Sequence, residues 1–324
     1  MTILLRLLVG CLLLLTPAGG ALAQDYPTKP IKLIVPFPPG GPNDIIARAV
    51  GQRMQEIAGV PVTIDNRGGA GGVIGTDAVA KAEPDGYTIA ITSAGALAIS
   101  VSLAEKVPYD STKDLAAVTL VATVPEMLVA ATSVPANNLA ELIALAKAKP
   151  GQINFASTGP GSMPHLAGEM LRMSAKIDIV HVPYRGAAPV MNDLLGQQVQ
   201  IVFLDLPILL PQVQAGKIKP IVMGAKQRVA SLKDVPTTAE AGFPEILPEN
   251  WYGMVAPAKT PPAVIAKLNR IAVEAMQSPE VREKLASQGA TLAGGTPEAF
   301  AAYIKSEIEK WGNVVKAAGI KPGN

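Results

Sequence analysis

The sequence predicts an α/β protein of two lobes, and three observations carry that reading. Short apolar, β-prone runs alternate with segments whose apolar residues recur at helical spacing, the grammar of βαβ units and a mostly parallel sheet. The chain has 324 residues, more than a single hydrophobic core usually organises. Two extended stretches, 117–131 and 251–256, interrupt the α/β pattern where a chain passing between lobes and returning would need them.

The first element is one the mature protein would lose. Arg6, the apolar run 7–15, a Pro-Gly break at 17–20 and Ala21-Leu22-Ala23 before Gln24 form a secretory signal peptide over residues 1–23, with cleavage near Ala23/Gln24. Its apolar run is too short to span a bilayer comfortably, and no other segment approaches the roughly 20 apolar residues of a transmembrane helix. Cys11, the only cysteine, follows Leu8-Val9-Gly10, but too few apolar residues precede it for a lipid-anchor box. The mature chain is then cysteine-free, which excludes disulfides, thiolate zinc sites and cysteine nucleophiles. A periplasmic location follows from export.

The mature chain opens with a strand over 31–35, a Pro/Gly-rich loop over 36–42, and a helix over 43–58. Ile46, Val50, Met54 and Ile57 share one face of that helix, and Gly59 with Pro61 ends it. A strand over 62–65, a glycine loop over 68–75, a helix through Lys81 and a strand over 87–91 complete the first block. The second block repeats the plan, with helices over 139–147, 164–174 and 188–195 and strands over 152–156, 179–182 and 199–203. Helices over 262–277, 279–288 and 297–318 return to the first lobe. The lobes are therefore expected to comprise residues 24–124 with 251–324, and 125–250.

Charge and composition narrow the function. The net charge is +2, with cations spread along the chain and aromatic residues at 4%, so neither a nucleic-acid footprint nor a stacking platform is encoded. Two histidines without cysteine partners or an H-E-x-x-H spacing do not make a metal site, and no cofactor is expected. The run Gly69-Ala70-Gly71-Gly72-Val73-Ile74-Gly75 is similar to a dinucleotide fingerprint, but the next strand ends in Thr92 and Ser93, with no acid to hold a ribose. No G-x-S-x-G elbow supports a hydrolase.

In open parallel sheets ligands lie beyond the carboxyl ends of the strands. Four loops there are rich in small, proline or hydroxyl residues: 36–44, 92–95, 157–162 and 183–189. Three run directly into helices, whose unpaired N–H groups and dipole favour an anion. Each loop taken alone reads more simply as a turn plus a cap; their recurrence in both lobes points to an anion-binding cleft. His165 lies in a first helical turn, whereas His181 sits within a strand and reads as a core residue. Arg185 is either a bidentate partner for a carboxylate or a surface ion-pair residue. Asp205 is either an acceptor for a ligand ammonium or hydroxyl or a turn residue before Pro207.

At these loops the sequence resembles the substrate-binding proteins of tripartite tricarboxylate transporters, the Bug family. The matching segments include Val35-Pro36-Phe37-Pro38-Pro39-Gly40-Gly41-Pro42-Asn43-Asp44, Asn66-Arg67-Gly68-Gly69-Ala70-Gly71-Gly72, Pro84-Asp85-Gly86-Tyr87-Thr88, His181-Val182-Pro183-Tyr184-Arg185-Gly186 and Trp251-Tyr252-Gly253. The resemblance covers essentially the whole mature chain. It implies a type II periplasmic-binding-protein fold, two α/β lobes joined by two crossover strands, that closes on a small carboxylate. It implies ligand contacts from Phe37, Gly41, Asn43, Thr92, Ser93, Ser157, Thr158 and His165, with Tyr184, Arg185 and Asp205 beside them. It also implies large and small integral-membrane subunits as partners; a monomer is the expected state. Pro39 and Asn43 stand where members commonly carry Ala and Thr, and Arg185 where Lys is common. The alternatives are a periplasmic sensor reporting a carboxylate to a signalling protein, and a secreted α/β enzyme acting on a small acid.

Overall fold

The computed structural model describes residues 26–103 and 107–317. The signal peptide, its cleavage point and Cys11 lie outside the described residues.

The chain runs β1 (Ile31–Val35), α1 (Pro42–Ala58), β2 (Val62–Asn66), α2 (Val73–Ala80), β3 (Thr88–Ser93), a wide turn Gly95–Ile99 and the short α3 (Ser100–Leu103). The long β4 (Leu115–Ala131) then leads to α4 (Leu139–Ala148), β5 (Ile153–Ser157), α5 (Met163–Ser174), β6 (Ile179–Pro183) and α6 (Ala187–Leu195). β7 (Ile201–Asp205), α7 (Leu206–Gln214), β8 (Ile218–Gly224) and β9 (Glu249–Pro257) follow. The chain ends in α8 (Pro262–Gln277), α9 (Pro279–Ser287), β10 (Thr291–Gly294) and α10 (Pro297–Ala317).

β4 is the spine. Its first half pairs antiparallel with β9 and β10, and its second half with β7 and β8. The partners change at Pro125 and Glu126: Pro125 is the last residue opposite β9, and Glu126 the first opposite Asp205 of β7 and Gly224 of β8. Proline offers no N–H to a ladder, so this changeover is where it costs least. The sequence pattern leads one to expect an interruption at Pro125, yet the strand continues through it as the crossing strand itself. On either side lie parallel groups, β2-β1-β3 beyond β9 and β7-β5-β6 beyond β4. Their carboxyl ends place the loops after β1, β3, β5, β6 and β7 around one cleft.

Three apolar clusters hold these layers. One packs Ile46, Val50 and Met54 of α1 and Leu268 and Ile271 of α8 against β1, β3 and β4. On the other face of the same strands, Trp251 and Val255 of β9 meet Phe300, Ile304 and Trp311 of α10. There Glu307, nearly buried, accepts hydrogen bonds from the indole N–H groups of Trp251 (2.9 Å) and Trp311 (2.8 Å), and Lys310 pairs with it at 3.0 Å. The third cluster, around Phe155, Leu171, Val190 and Phe203, is the core of β5 to β8 and their helices.

Three elements depart from the sequence reading. α7 occupies a stretch to which the sequence pattern assigns no element; Pro207 fits its first turn, and Leu206, Leu209 and Leu210 bury one face despite Pro211 inside it. β8 and β10 were not anticipated; both are strands because they find places beside β4, which local pattern does not reveal.

Candidate functional site

A cavity of about 30 Å³ lies where β4 changes partners. Four helix N-termini converge on it: α1 through Gly41, Pro42 and Asn43; α5 through Ser162, Met163 and Pro164; α6 through Ala187; and α7 through Asp205. None of the four carries a side-chain cap hydrogen bond. The first N–H groups of a helix have no partner inside it, and the aligned peptide dipoles add positive potential at that end. Among the described residues no lysine or arginine lines this cavity. The positive end of the site is therefore backbone.

The loops are held rigid by side chains facing away from the cavity. Asp44, in the first turn of α1, accepts from the Gly40 amide (3.0 Å), Arg48 (2.8 Å) and Asn66 (2.9 Å). Burial alone would raise its carboxyl, but these donors outweigh burial and hold it below the ordinary range. Asn66 also donates to the Phe37 carbonyl at 2.9 Å, tying β2 to the loop after β1. Across the cleft, Ser162 Oγ donates to the Gly159 carbonyl at 2.6 Å, closing the turn before α5.

The floor is acidic. Glu126 is fully buried, and its carboxyl group, held protonated, shares a hydrogen bond with the facing carboxylate of Asp205 and has no other partner. Opposite it, Asp205 accepts from Asn250 Nδ2 at 3.2 Å and from the Tyr252 hydroxyl. Burial raises Asp205 to about 6, against the opposing pull of the hydrogen bonds from Tyr252, Asn250 and Glu126. Burial first, and then the facing Asp205, raises Glu126 well above the usual carboxylate range. Asn43, at the positive end, is 1% exposed and has both side-chain polar atoms without partners.

A second cavity of about 270 Å³ opens outward from the first, sharing Phe37 and Thr158 as walls and bounded further out by Tyr184 and Arg185. Of the residues singled out in the sequence, Phe37, Gly41, Asn43, Ser93, Thr158 and Asp205 line the deep cavity. Tyr184 and Arg185 line only the mouth, and the Tyr184 hydroxyl is already committed to Asp193 at 2.6 Å. Thr92, Ser157 and His165 stand one layer behind the wall. Thr92 is hydrogen-bonded to Thr76 (2.9 Å), and Ser157 Oγ to His181 Nε2 (2.7 Å). His165 accepts from the Gly161 amide at 3.3 Å and stacks on His181, which stacks on Phe155. Both imidazoles are pushed down to about 4 by burial, so they support the loop in neutral form.

Glu126, Asn250 and Tyr252 were not foreseen as site residues. The available signal was charge in an unexpected place: Glu126 is the only charged residue in β4. The glycine run beside the cleft packs against the opposite lobe. Gly71 has φ 63°, and a Cβ there would stand 2.6 Å from the Pro160 carbonyl. Gly161 has φ 74°, and a Cβ there would stand 2.6 Å from Ser100 Oγ. The two sides of the cleft meet through backbone that only glycine can supply.

With this geometry in hand, comparison with known proteins is decisive. The profile of the tripartite tricarboxylate transporter family receptors matches residues 46–320. The chain belongs to that family. Its fold is that of the periplasmic binding proteins of the Bug type. This receptor is 40% identical to protein BugT of Bordetella pertussis over 300 residues, 92% of each chain. It superposes on the periplasmic binding protein BugD with a TM-score of 0.89 at 35% identity, covering 92% of this chain and 100% of that one. An R. palustris protein solved with adipate gives a TM-score of 0.89 at 34% identity, covering 92% and 99%. The receptor's family consists of solute-binding proteins, and among its described residues no helix is long and apolar enough to cross a membrane.

Proposed function

We propose that this receptor captures a small organic carboxylate in the periplasm and presents it, in a closed form, to the large and small membrane subunits of a tripartite tricarboxylate transporter. The observation that carries the reading is the convergence of uncapped helix N-termini from both sides on one cavity without a cationic side chain. Such a site offers several directed N–H donors to a compact anion and takes no lysine or arginine out of water. The adipate bound to the R. palustris relative is a carboxylate of this class.

In this reading residues 1–23 direct export, residues 24–124 with 251–324 form one lobe, and residues 125–250 form the other. β4 and β9 are the hinges. Phe37, Gly41, Asn43, Ser93 and Thr158 contact the ligand, Asp205 closes the floor, and Tyr184 and Arg185 guard the mouth. Thr92, Ser157 and His165 hold the contacting loops in place. The roughly 30 Å³ of the deep cavity accommodates about two waters, so a ligand of several heavy atoms enters when the lobes part. Closure is favoured because only the closed form brings donors from both sides onto one carboxylate. The ligand is bound and released unchanged.

Native mass spectrometry of the purified protein, followed by denaturation, tests this. An intact carboxylic acid bound one per chain, which raises thermal stability when added back, is the expected result. A chemically altered product accumulating with repeated turnover would replace the receptor by an enzyme.

A further inference from the structure

Holding a carboxylate does not by itself require two acids in the floor of the cavity. Glu126 and Asp205 are register partners across the β4–β7 ladder, both enclosed by protein and both lining the deep cavity. Tyr252 is the third titratable group on that wall. Its hydroxyl and Asn250 Nδ2 both donate to Asp205, so side chains of the two crossing strands, β4 and β9, meet at the pair. The charged groups nearby are committed elsewhere. Glu249, opposite Pro125 on β9, and Lys226, just beyond β8, are exposed. On the helices that frame the cavity, Asp44 is paired with Arg48, Glu169 with Arg172, Asp193 accepts from Tyr184, and His165 stands behind the wall. Two ionised carboxylates without a cation repel strongly in a dry interior, so facing acids of this kind stay together by sharing a proton.

From this geometry, and resting on the carboxylate reading above, we infer that the floor is a proton-binding site coupled to the ligand site: the receptor captures its carboxylate together with a proton shared by Glu126 and Asp205. The ligand brings negative charge into the cavity that both acids line, with no lysine or arginine among the lining residues to screen it. A like charge at close range favours the neutral form of a carboxyl group. Capture therefore draws a proton from solvent onto the pair, and by linkage the proton in turn strengthens capture. Burial already lifts both groups, Asp205 to about 6, which places the linkage near neutral pH. Affinity is then highest below the titration of the ligand-free pair and declines as pH rises through the higher titration of the occupied one. Losing the proton also leaves two charges where β4, β7 and β9 join, which opposes the closed arrangement. Release of the ligand returns the proton to solvent.

Titration calorimetry in pairs of buffers with different ionisation enthalpies counts these protons. The probes are succinate, malate, adipate and 3-phenylpropanoate, compared at about pH 6.5 and 8.5, where their carboxyl groups are ionised. The two buried imidazoles titrate near 4 and do not contribute there. For an acid that binds, the expected result is uptake of about half a proton or more at the lower pH and affinity at least about threefold weaker at the higher one. The double variant Glu126→Gln/Asp205→Asn keeps the shape and removes both titrating groups; its uptake should vanish and its affinity should be the same at both pH values. Glu126→Gln alone, the milder change, should at least halve the uptake. Binding by the unmodified receptor with no proton uptake and equal affinity at the two pH values would overturn the proton site and leave the carboxylate reading standing. Uptake that persists in the double variant also overturns it. Should none of the four acids bind, the carboxylate reading falls, and this one with it.

Discussion

Glu126 shows how a single residue ties the hinge to the site. Its folded-state pKa lies above its unfolded value, as does that of Asp205, raised to about 6 from an ordinary value near 3.8. Such groups bind more protons folded than unfolded. Their favourable contribution is therefore present at low pH and is lost as pH rises through the folded-state values. Glu126→Gln removes this liability while keeping the shape. It is expected to stabilise the ligand-free protein by roughly 1 kcal/mol more at pH 8 than at pH 5, read by chemical denaturation at both values. An equal effect at the two pH values would mean that the carboxyl is not under strain. The histidines act with the opposite sign. His165 and His181 titrate near 4 when folded and near 6.5 when unfolded, so their contribution is complete above that upper value and declines on acidification toward the lower one. They are the only two histidines in the chain. Proton NMR of their ring signals should show both neutral at pH 6, with midpoints near 4; a midpoint near 6.5 for either would remove it from the buried stack.

At the scale of elements, the glycine contacts and the docking of α10 make separate predictions. A Cβ at position 71 would stand 2.6 Å from the Pro160 carbonyl across the cleft. Gly71→Ala should therefore weaken ligand binding at least tenfold, while the positive φ alone lowers ligand-free stability by about 1 kcal/mol. Affinity unchanged by this substitution would show that the loops do not meet in the bound form. Glu307→Ala leaves two buried indole N–H groups without their shared acceptor. A stability loss of roughly 2–3 kcal/mol is expected, since unsatisfied buried donors are costly. The same scale shows what the sequence discloses and what it does not. α1 is legible from Ile46, Val50 and Met54 and from its Gly59 stop, because periodicity and capping are local signals. The glycine and proline loops are legible as an anion site because each precedes a helix. α7 is hidden by Pro207 and Pro211, and β8 and β10 by pairing with a strand distant in sequence. Glu126 and Asp205 become one feature only through the β4–β7 register, which no local pattern specifies. Likewise, Thr92, Ser157 and His165 border the right loops, at the ends of β3 and β5 and the start of α5, but their side chains bond behind the cavity wall, a matter of direction set by packing.

At the scale of the whole molecule, the site lies at the changeover of β4, so the proposed closure would couple occupancy to lobe angle. A ligand that bridges both sides stabilises the closed arrangement by its differential affinity for it, and the folded protein over the unfolded chain by about 2.7 kcal/mol at a hundredfold excess over Kd. This scale also sets the anion site, because its positive end is assembled from helices on opposite sides of the cleft. The most direct measurement is a calorimetric comparison of a carboxylate that binds with its own primary amide, alike in size and shape but uncharged at the recognised group. The helix N-termini predict that the acid binds and that the amide binds at least a hundredfold more weakly. Equal binding of the two would contradict the anion site on which the account rests.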